Sequence, residues 1–200
     1  MALDSYTTLK AAIGTWTARA DYTTFADDCI DLAEAWFNRN LRVRQMLEEA
    51  TAAVAERLSL PSDFLEMRDI QVQAATHRQL QYVTPEEADR IDVDGSTGDA
   101  SYYTIVNNEI RIVPPPSSGS TVLMSYWQTI PALSGSMASN WLLAAYPDAY
   151  LWGALMHVGT FLENPQRMAA VESQFARAVN EIRQAGKASM YGGSLRIRAA

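Results

Sequence analysis

Cysteine is almost missing from this chain: Cys29 stands alone in 200 residues. No intrachain disulfide can form, which suits a protein made and assembled in a reducing cytoplasm. Histidine is nearly as scarce, with only His77 and His157, and neither has a serine, cysteine or carboxylate at a spacing that suggests a catalytic dyad. No Glu-x-x-His occurs. A glycine-rich phosphate loop is also lacking, because Gly192-Gly193 has no lysine and no following helix. Met1 to Lys10 does not join a basic segment to an apolar run, so no secretory signal is expected. The most apolar stretch, Trp141 to Leu162, is interrupted by Pro147-Asp148. What remains falls short of the roughly 20 residues a bilayer needs, so it reads as a buried core helix and no membrane contact is expected. Internal repeats and low-complexity tracts do not appear. Positive charge is in deficit, with 16 Lys and Arg against 23 Asp and Glu, a formal net charge of -7. A surface of that sign repels phosphate backbones, which disfavours tight or sequence-specific nucleic-acid binding.

What is present is an ordinary globular composition, 48% hydrophobic and 20% charged, enough to bury roughly 70% of the unfolded surface. The pattern runs helix, strands, helix. Ser5 can cap a helix whose Tyr6, Leu9, Ile13 and Trp16 recur at helical steps and which ends near Ala18. Thr24 is expected to cap a longer helix reaching about Gln45. On its wheel Phe25, Cys29, Leu32 and Trp36 fall together, beside Ala26, Ile30, Ala33, Phe37 and Leu41. That apolar arc covers about half the circumference and predicts packing against at least two neighbours.

The middle of the chain loses this period. Leu60-Pro61-Ser62-Asp63 is a turn, followed by strand-like Phe64 to Gln73 and Gln79 to Val83. Thr84-Pro85-Glu86-Glu87 is a capping box with proline at the first helical position, so a short helix should run to about Ile91. Asp92 to Ser101 reads as an exposed acidic loop. Tyr102 to Val106 and Glu109 to Val113 flank Asn107-Asn108, a tight hairpin, and Thr121 to Gln128 is a further strand. Helical reading resumes after Pro131: Asn140 precedes a short turn, and Asp148 to Leu162 is apolar almost all round. Asn164-Pro165 then opens a last helix that Gly186 should end. Lys187 to Ala200 is a basic tail without an acid. The fold class expected is α+β, a mainly α-helical bundle of the N- and C-terminal helices (residues 1–46 and 137–185). An antiparallel β-rich region is inserted at 47–136, and 186–200 forms a flexible C-terminal arm.

Candidate chemistry is sparse. Asp27, Asp28, Asp31 and Glu34 could suggest a metal site, but all four fall on the polar side of the wheel. They precede Arg39, Arg42 and Arg44 in an order that complements the helix dipole, so a solvated face is the expectation. Asp92-Val93-Asp94-Gly95 with Asp99 approaches a calcium loop, yet the glycine comes two positions early and no glutamate closes it. His157 sits in the buried apolar helix, where a hydrogen-bonded core role is expected, and Cys29 lies on an inner stripe, where packing outweighs nucleophilic chemistry. No cofactor and no metal site are expected, nor an assembled active site. Tyr102, Tyr103, Tyr126, Trp127, Trp141, Tyr146, Tyr150 and Trp152 are many aromatics for this length, and subunit interfaces use such residues as anchors.

Several stretches, taken in order, resemble the head-to-tail adaptor (connector) proteins of tailed phages and gene transfer agents. They are Tyr6-Thr7-Thr8-Leu9; Leu32-Ala33-Glu34-Ala35 with Asn38-Arg39 and Leu41-Arg42; Leu60-Pro61-Ser62-Asp63-Phe64-Leu65-Glu66; Tyr126 with Ile130-Pro131 and Leu133; and Asn140-Trp141-Leu142-Leu143 with Tyr146-Pro147-Asp148-Ala149-Tyr150-Leu151. The likeness spans residues 6 to about 180. It implies a structural, non-enzymatic virion protein of the neck, assembled in the host cytoplasm. Such a protein forms a dodecameric ring that docks on the portal and connects it to tail or nozzle and stopper proteins, with double-stranded DNA passing through its lumen. It further implies a portal-docking arm, here Lys187, Leu195, Arg196, Ile197 and Arg198. Arg39, Arg42 and Arg44 are candidates for the subunit interface. The competing readings are a tail completion or tail terminator subunit and a metal-dependent hydrolase that would use Asp27, Asp31 or His157.

Overall fold

The computed structural model describes residues 3–18, 21–73, 77–92, 97–116, 120–158 and 165–190. The fold is α+β, and the chain divides into two compact units: Met1–Met46 with Ile130–Ala200, and Leu47–Thr129.

The first unit is helical. Helix α1, Tyr6–Thr17, starts at Ser5, whose hydroxyl accepts from the Thr8 amide while Thr8 reaches back to the Ser5 amide, and it ends on a left-handed Ala18. Leu9, Ala12 and Ile13 are buried, but Trp16 turns outward and is 52% exposed. Helix α2, Ala26–Asn40, is shorter at both ends than the sequence suggests. Thr24 does not cap it: the Thr24 hydroxyl donates to the Asp21 carbonyl within a 3-10 turn, Tyr22–Thr24. At the other end the chain turns extended at Leu41, because Leu41 and Val43 are drawn into the core. The Arg42 guanidinium then donates to the terminal carbonyls of Asn38 (2.8 Å) and Leu41 (2.6 Å). A second 3-10 turn, Arg44–Met46, leads out of the unit.

The α2 wheel needs two corrections. Leu32, expected on the apolar arc, is 49% exposed, whereas Glu34, expected in solvent, is 5% exposed. The buried arc centres on Ala26, Ala33 and Phe37, one position round from the predicted centre, because residues 130–133 cover the flank that carries Asn38 and Glu34. The Ile130 amide donates to Asn38 Oδ1 at 2.8 Å, and the Leu133 amide to Glu34 Oε1 at 2.8 Å.

Helix α4, Trp141–Ala145, is capped by Asn140, and α5, Pro147–Val158, follows with most of its surface buried. Gly153 allows close approach: a Cβ there would lie 3.1 Å from Phe175 and 3.3 Å from the Ala33 Cβ. Helix α6, Pro165–Met190, does not stop at Gly186. Gly186 is a packing residue, since a Cβ there would lie 2.8 Å from Val43 Cγ1. Lys187 therefore lies on α6. Leu195, Arg196, Ile197 and Arg198 lie outside the described residues, as do Asn164 and residues 159–162 of the predicted core helix.

The second unit holds two four-stranded sheets. Its elements in order are β1 (Leu47–Ala53), β2 (Arg57–Ser59), β3 (Phe64–Gln73), β4 (His77–Gln79), β5 (Gln81–Tyr82), α3 (Pro85–Ile91), β6 (Tyr102–Val106), β7 (Glu109–Val113) and β8 (Thr121–Gln128). One sheet runs β1-β8-β3-β4 and the other β2-β7-β6-β5. Only the β5–β6 pair is parallel among these ladders. The single strand expected at Gln79 to Val83 is split, because buried Leu80 switches the chain between sheets: its amide donates to Ile70, and the next amide, of Gln81, to Ser101. Alternation on β8 sends Val122, Met124 and Tyr126 into a core with Ile70, Ile110 and Ile112. Asn107 takes φ 56 in the predicted hairpin. Thr84 caps α3, and Arg111 bridges Asp89 and Asp92, the latter bond 2.7 Å. The Asp92 side chain is only 8% exposed, so the acidic loop expected from Asp92 begins inside the fold.

Candidate functional site

The densest buried polar cluster among the described residues is a clip in the helical unit. Glu34 Oε1 accepts from the Leu133 amide and from the Tyr150 hydroxyl at 3.0 Å. Asn140 Nδ2 donates to that hydroxyl at 2.6 Å and to the Pro131 carbonyl at 2.7 Å, while its Oδ1 accepts from the Leu143 amide at 2.8 Å. Burial raises the Glu34 carboxyl above the usual carboxylate range, and the bonds from Leu133 and Tyr150 partly offset that. The Tyr150 phenol is raised too, by burial first and then by the Glu34 charge. Each member bonds the fold itself, fastening residues 131–143 to α2 and α5. Its role is structural. Wheel geometry missed Glu34, although its neighbours Ala33 and Phe37 on the apolar arc were the available signal.

The other three acids of α2 do not converge with it. Asp27 accepts from the Tyr6 hydroxyl at 2.7 Å and pairs with Lys10 at 3.0 Å. Those contacts, the Tyr6 bond foremost, hold its carboxyl below the usual range against the opposing effect of burial. Asp28 and Asp31 face solvent. No group of three or more His, Cys, Asp or Glu side chains that could hold a metal forms among the described residues. Cys29 is 3% exposed, and burial pushes its thiol up to about 11, which leaves little thiolate at neutral pH. His157 lies near the end of α5, its imidazole held below the usual range by burial and then by Arg39. His77 is exposed on β4.

Of the predicted interface arginines, Arg39 and Arg44 are exposed and Arg42 is half-buried against the end of α2. Lys187 is exposed on the last turns of α6. Tyr126, Trp127 and Tyr150 are core residues, and burial with the Asp63 bond pushes the Tyr126 phenol up to about 12.

Charge is sharply divided. Leu47–Thr129 carries 13 acidic and 5 basic residues, a net of -8, and the rest of the chain carries 10 and 11, a net of +1. The anionic character thus belongs to the β unit. The helical unit instead bears an apolar groove of about 290 Å³, lined by Trp16, Trp152, Leu155, Met168 and Val171, with Arg167 and Gln174 also in its lining.

Glu34, Tyr150 and Asn140 are thus committed to bonds within the helical unit. Among the described residues no helix is long and apolar enough to cross a membrane. The SU10 adaptor protein family matches residues 4–198, and the chain belongs to that family. It is accordingly a structural adaptor of a phage virion, a class whose role is non-catalytic. No curated protein matches the chain.

Proposed function

We propose that this protein is the head-to-tail adaptor of a tailed phage or gene transfer agent. It assembles in the host cytoplasm as a dodecameric ring in the neck of the virion, docks on the portal, and receives tail or nozzle and stopper proteins on its other side. The observation that carries this reading is the adaptor-family match over residues 4–198, nearly the whole chain. The β unit supports it as well: a net of -8 forms few counterion-releasing contacts with DNA, so a duplex can slide past such a surface without sticking. Lys187 with Leu195, Arg196, Ile197 and Arg198 forms the portal-docking arm, its cations paired with acidic portal surface. Arg39, Arg42 and Arg44 lie at the boundary between subunits.

The test mixes the purified chain with portal rings and images the product by electron microscopy. A second ring seated on the tail-facing rim of the portal is the expected result. Binding to tail tube alone would overturn the reading in favour of a tail completion or terminator subunit.

A further inference from the structure

The two sheets of the β unit share one apolar core, and helix α3 has no part in it. Of its seven residues only Ala88 is buried, so the helix is anchored by a single methyl group. A helix of that length does not hold its shape in water by itself. What fixes it is Arg111.

Thr104 of β6 stands directly opposite Arg111 of β7, and residues so paired share a face of the sheet. Tyr103, Ile105, Ile110 and Ile112, which alternate with them, pack into the core. Thr104 and Arg111 therefore lie on the other face, where α3 packs on β6. There the Arg111 guanidinium pairs with Asp89, whose side chain is 67% exposed, and with the buried Asp92 at 2.7 Å.

The closed arrangement carries two flaws. Thr104 is wholly buried and its hydroxyl has no hydrogen-bond partner, and the buried Arg111 Nε has none either. A buried donor left unbonded costs at least as much as a bonded one contributes, and both atoms regain water when α3 lifts. The pair with Asp89 adds little, because its carboxylate is mostly in solvent. Closure thus rests on one methyl group and one well-buried ion pair, against two orphaned polar atoms.

We propose that α3 is a flap: it swings off the β2-β7-β6-β5 sheet while both sheets stay folded, with the Arg111–Asp92 pair as its latch. The opening is local, because the shared core lies on the opposite face of that sheet. It bares a guanidinium on a unit that is otherwise dominated by acids. The inference goes beyond the ring reading and does not depend on it.

Amide hydrogen exchange of the full-length chain tests it. The Ala88 and Asp92 amides, which bond to Thr84 and Ala88 along α3, should be less protected than the Ile112 amide, which bonds to the Glu56 carbonyl, by on the order of a hundredfold. Low urea should speed Ile112 steeply and the α3 amides hardly at all, because a flap exposes little surface. Asp92→Asn weakens the latch and should speed α3 exchange about tenfold, whereas Thr104→Val keeps the shape, removes the unbonded hydroxyl and should slow it about tenfold. Should Asp92→Asn lose its native circular dichroism, Arg111→Lys replaces it with the same expectation, since an ammonium lacks the fork that holds both carboxylates. Exchange at α3 that matches Ile112 in protection and urea dependence would overturn the flap. Latch variants that exchange at the wild-type rate would overturn the role of Arg111.

Discussion

Replacing Glu34 by alanine should be among the most damaging single changes in the helical unit, for a reason that glutamine does not share. Glu34 is the acceptor for two donors that cannot reach water: the amide of Leu133, 3% exposed, and the hydroxyl of Tyr150, wholly buried. A buried donor left without a partner costs about 1–3 kcal/mol, so two cost on the order of 2–6 kcal/mol before any cavity is counted. Domains are stable by only about 5–15 kcal/mol. At about 2–4 °C per kcal/mol for a chain of this size, the melting temperature should fall by roughly 4–24 °C. Glu34→Gln keeps a carbonyl oxygen for both donors and should stay within a few degrees of wild type. The pH dependence has a definite sign. Burial raises the folded-state pKa of Glu34, so its contribution is fully present below the unfolded value near 4.3 and is lost as pH rises through the folded value. The glutamine variant should therefore gain on wild type between pH 4 and pH 8. Near-ultraviolet circular dichroism can follow both, because Tyr150 packs edge-on against Phe37 at 5.3 Å. A Glu34→Ala melt within about 2 °C of wild type, or a glutamine variant as damaged as alanine, would refute the reasoning.

Gly186→Ala gains about 1 kcal/mol of helix propensity but sets a methyl 2.8 Å from Val43 Cγ1. With overpacking costing about 1–3 kcal/mol, chemical denaturation should show a net loss of about 1 kcal/mol, recovered when Val43→Ala is added. Asp27 has a depressed folded-state pKa, so its contribution is present above the unfolded value near 3.9 and lost as pH falls through the folded one. The stability gap between wild type and Asp27→Asn should accordingly close below about pH 4 in denaturation curves. Truncation after Met190 spares the Gly186 contact, so the thermal melt should stay cooperative and within a few degrees of wild type while binding to portal rings weakens several-fold. Unaltered binding would remove the arm.

Local chemistry was legible in the sequence wherever a residue acts on its own neighbours. Ser5, Thr84 and Asn140 each accept from an amide three residues on, the relation that makes caps recognisable, and the Asn107-Asn108 hairpin needed only its flanking alternation. Elements set by distant partners were not legible. Strand β1 reads Leu-Glu-Glu-Ala-Thr-Ala-Ala, with one β-branched residue in seven, and it is a strand because β8 pairs with it from Leu47↔Trp127 to Ala53↔Thr121. Gly186 looked like a helix end because a one-dimensional reading cannot see Val43. Glu34 looked solvated because a wheel fixes the angles of side chains and leaves open which flank a loop one hundred residues away will cover.

The same limit applied to charge, and there it changes the functional reasoning. A net of -7 spread evenly would make the whole surface repel DNA and would make every contact between copies work against like charge. Divided as it is, -8 on Leu47–Thr129 and +1 on the remainder, the repulsion toward a duplex is confined to the β unit. The helical unit is nearly neutral, so copies of it that assemble in the proposed ring meet little like-charge repulsion there. Acidic substitutions on the helical unit away from the groove should consequently weaken self-association in proportion to the charge added, and more so at low salt. The same number of acids added to the β unit should leave self-association less affected. Equal losses from both would mean that the division of charge has no part in assembly.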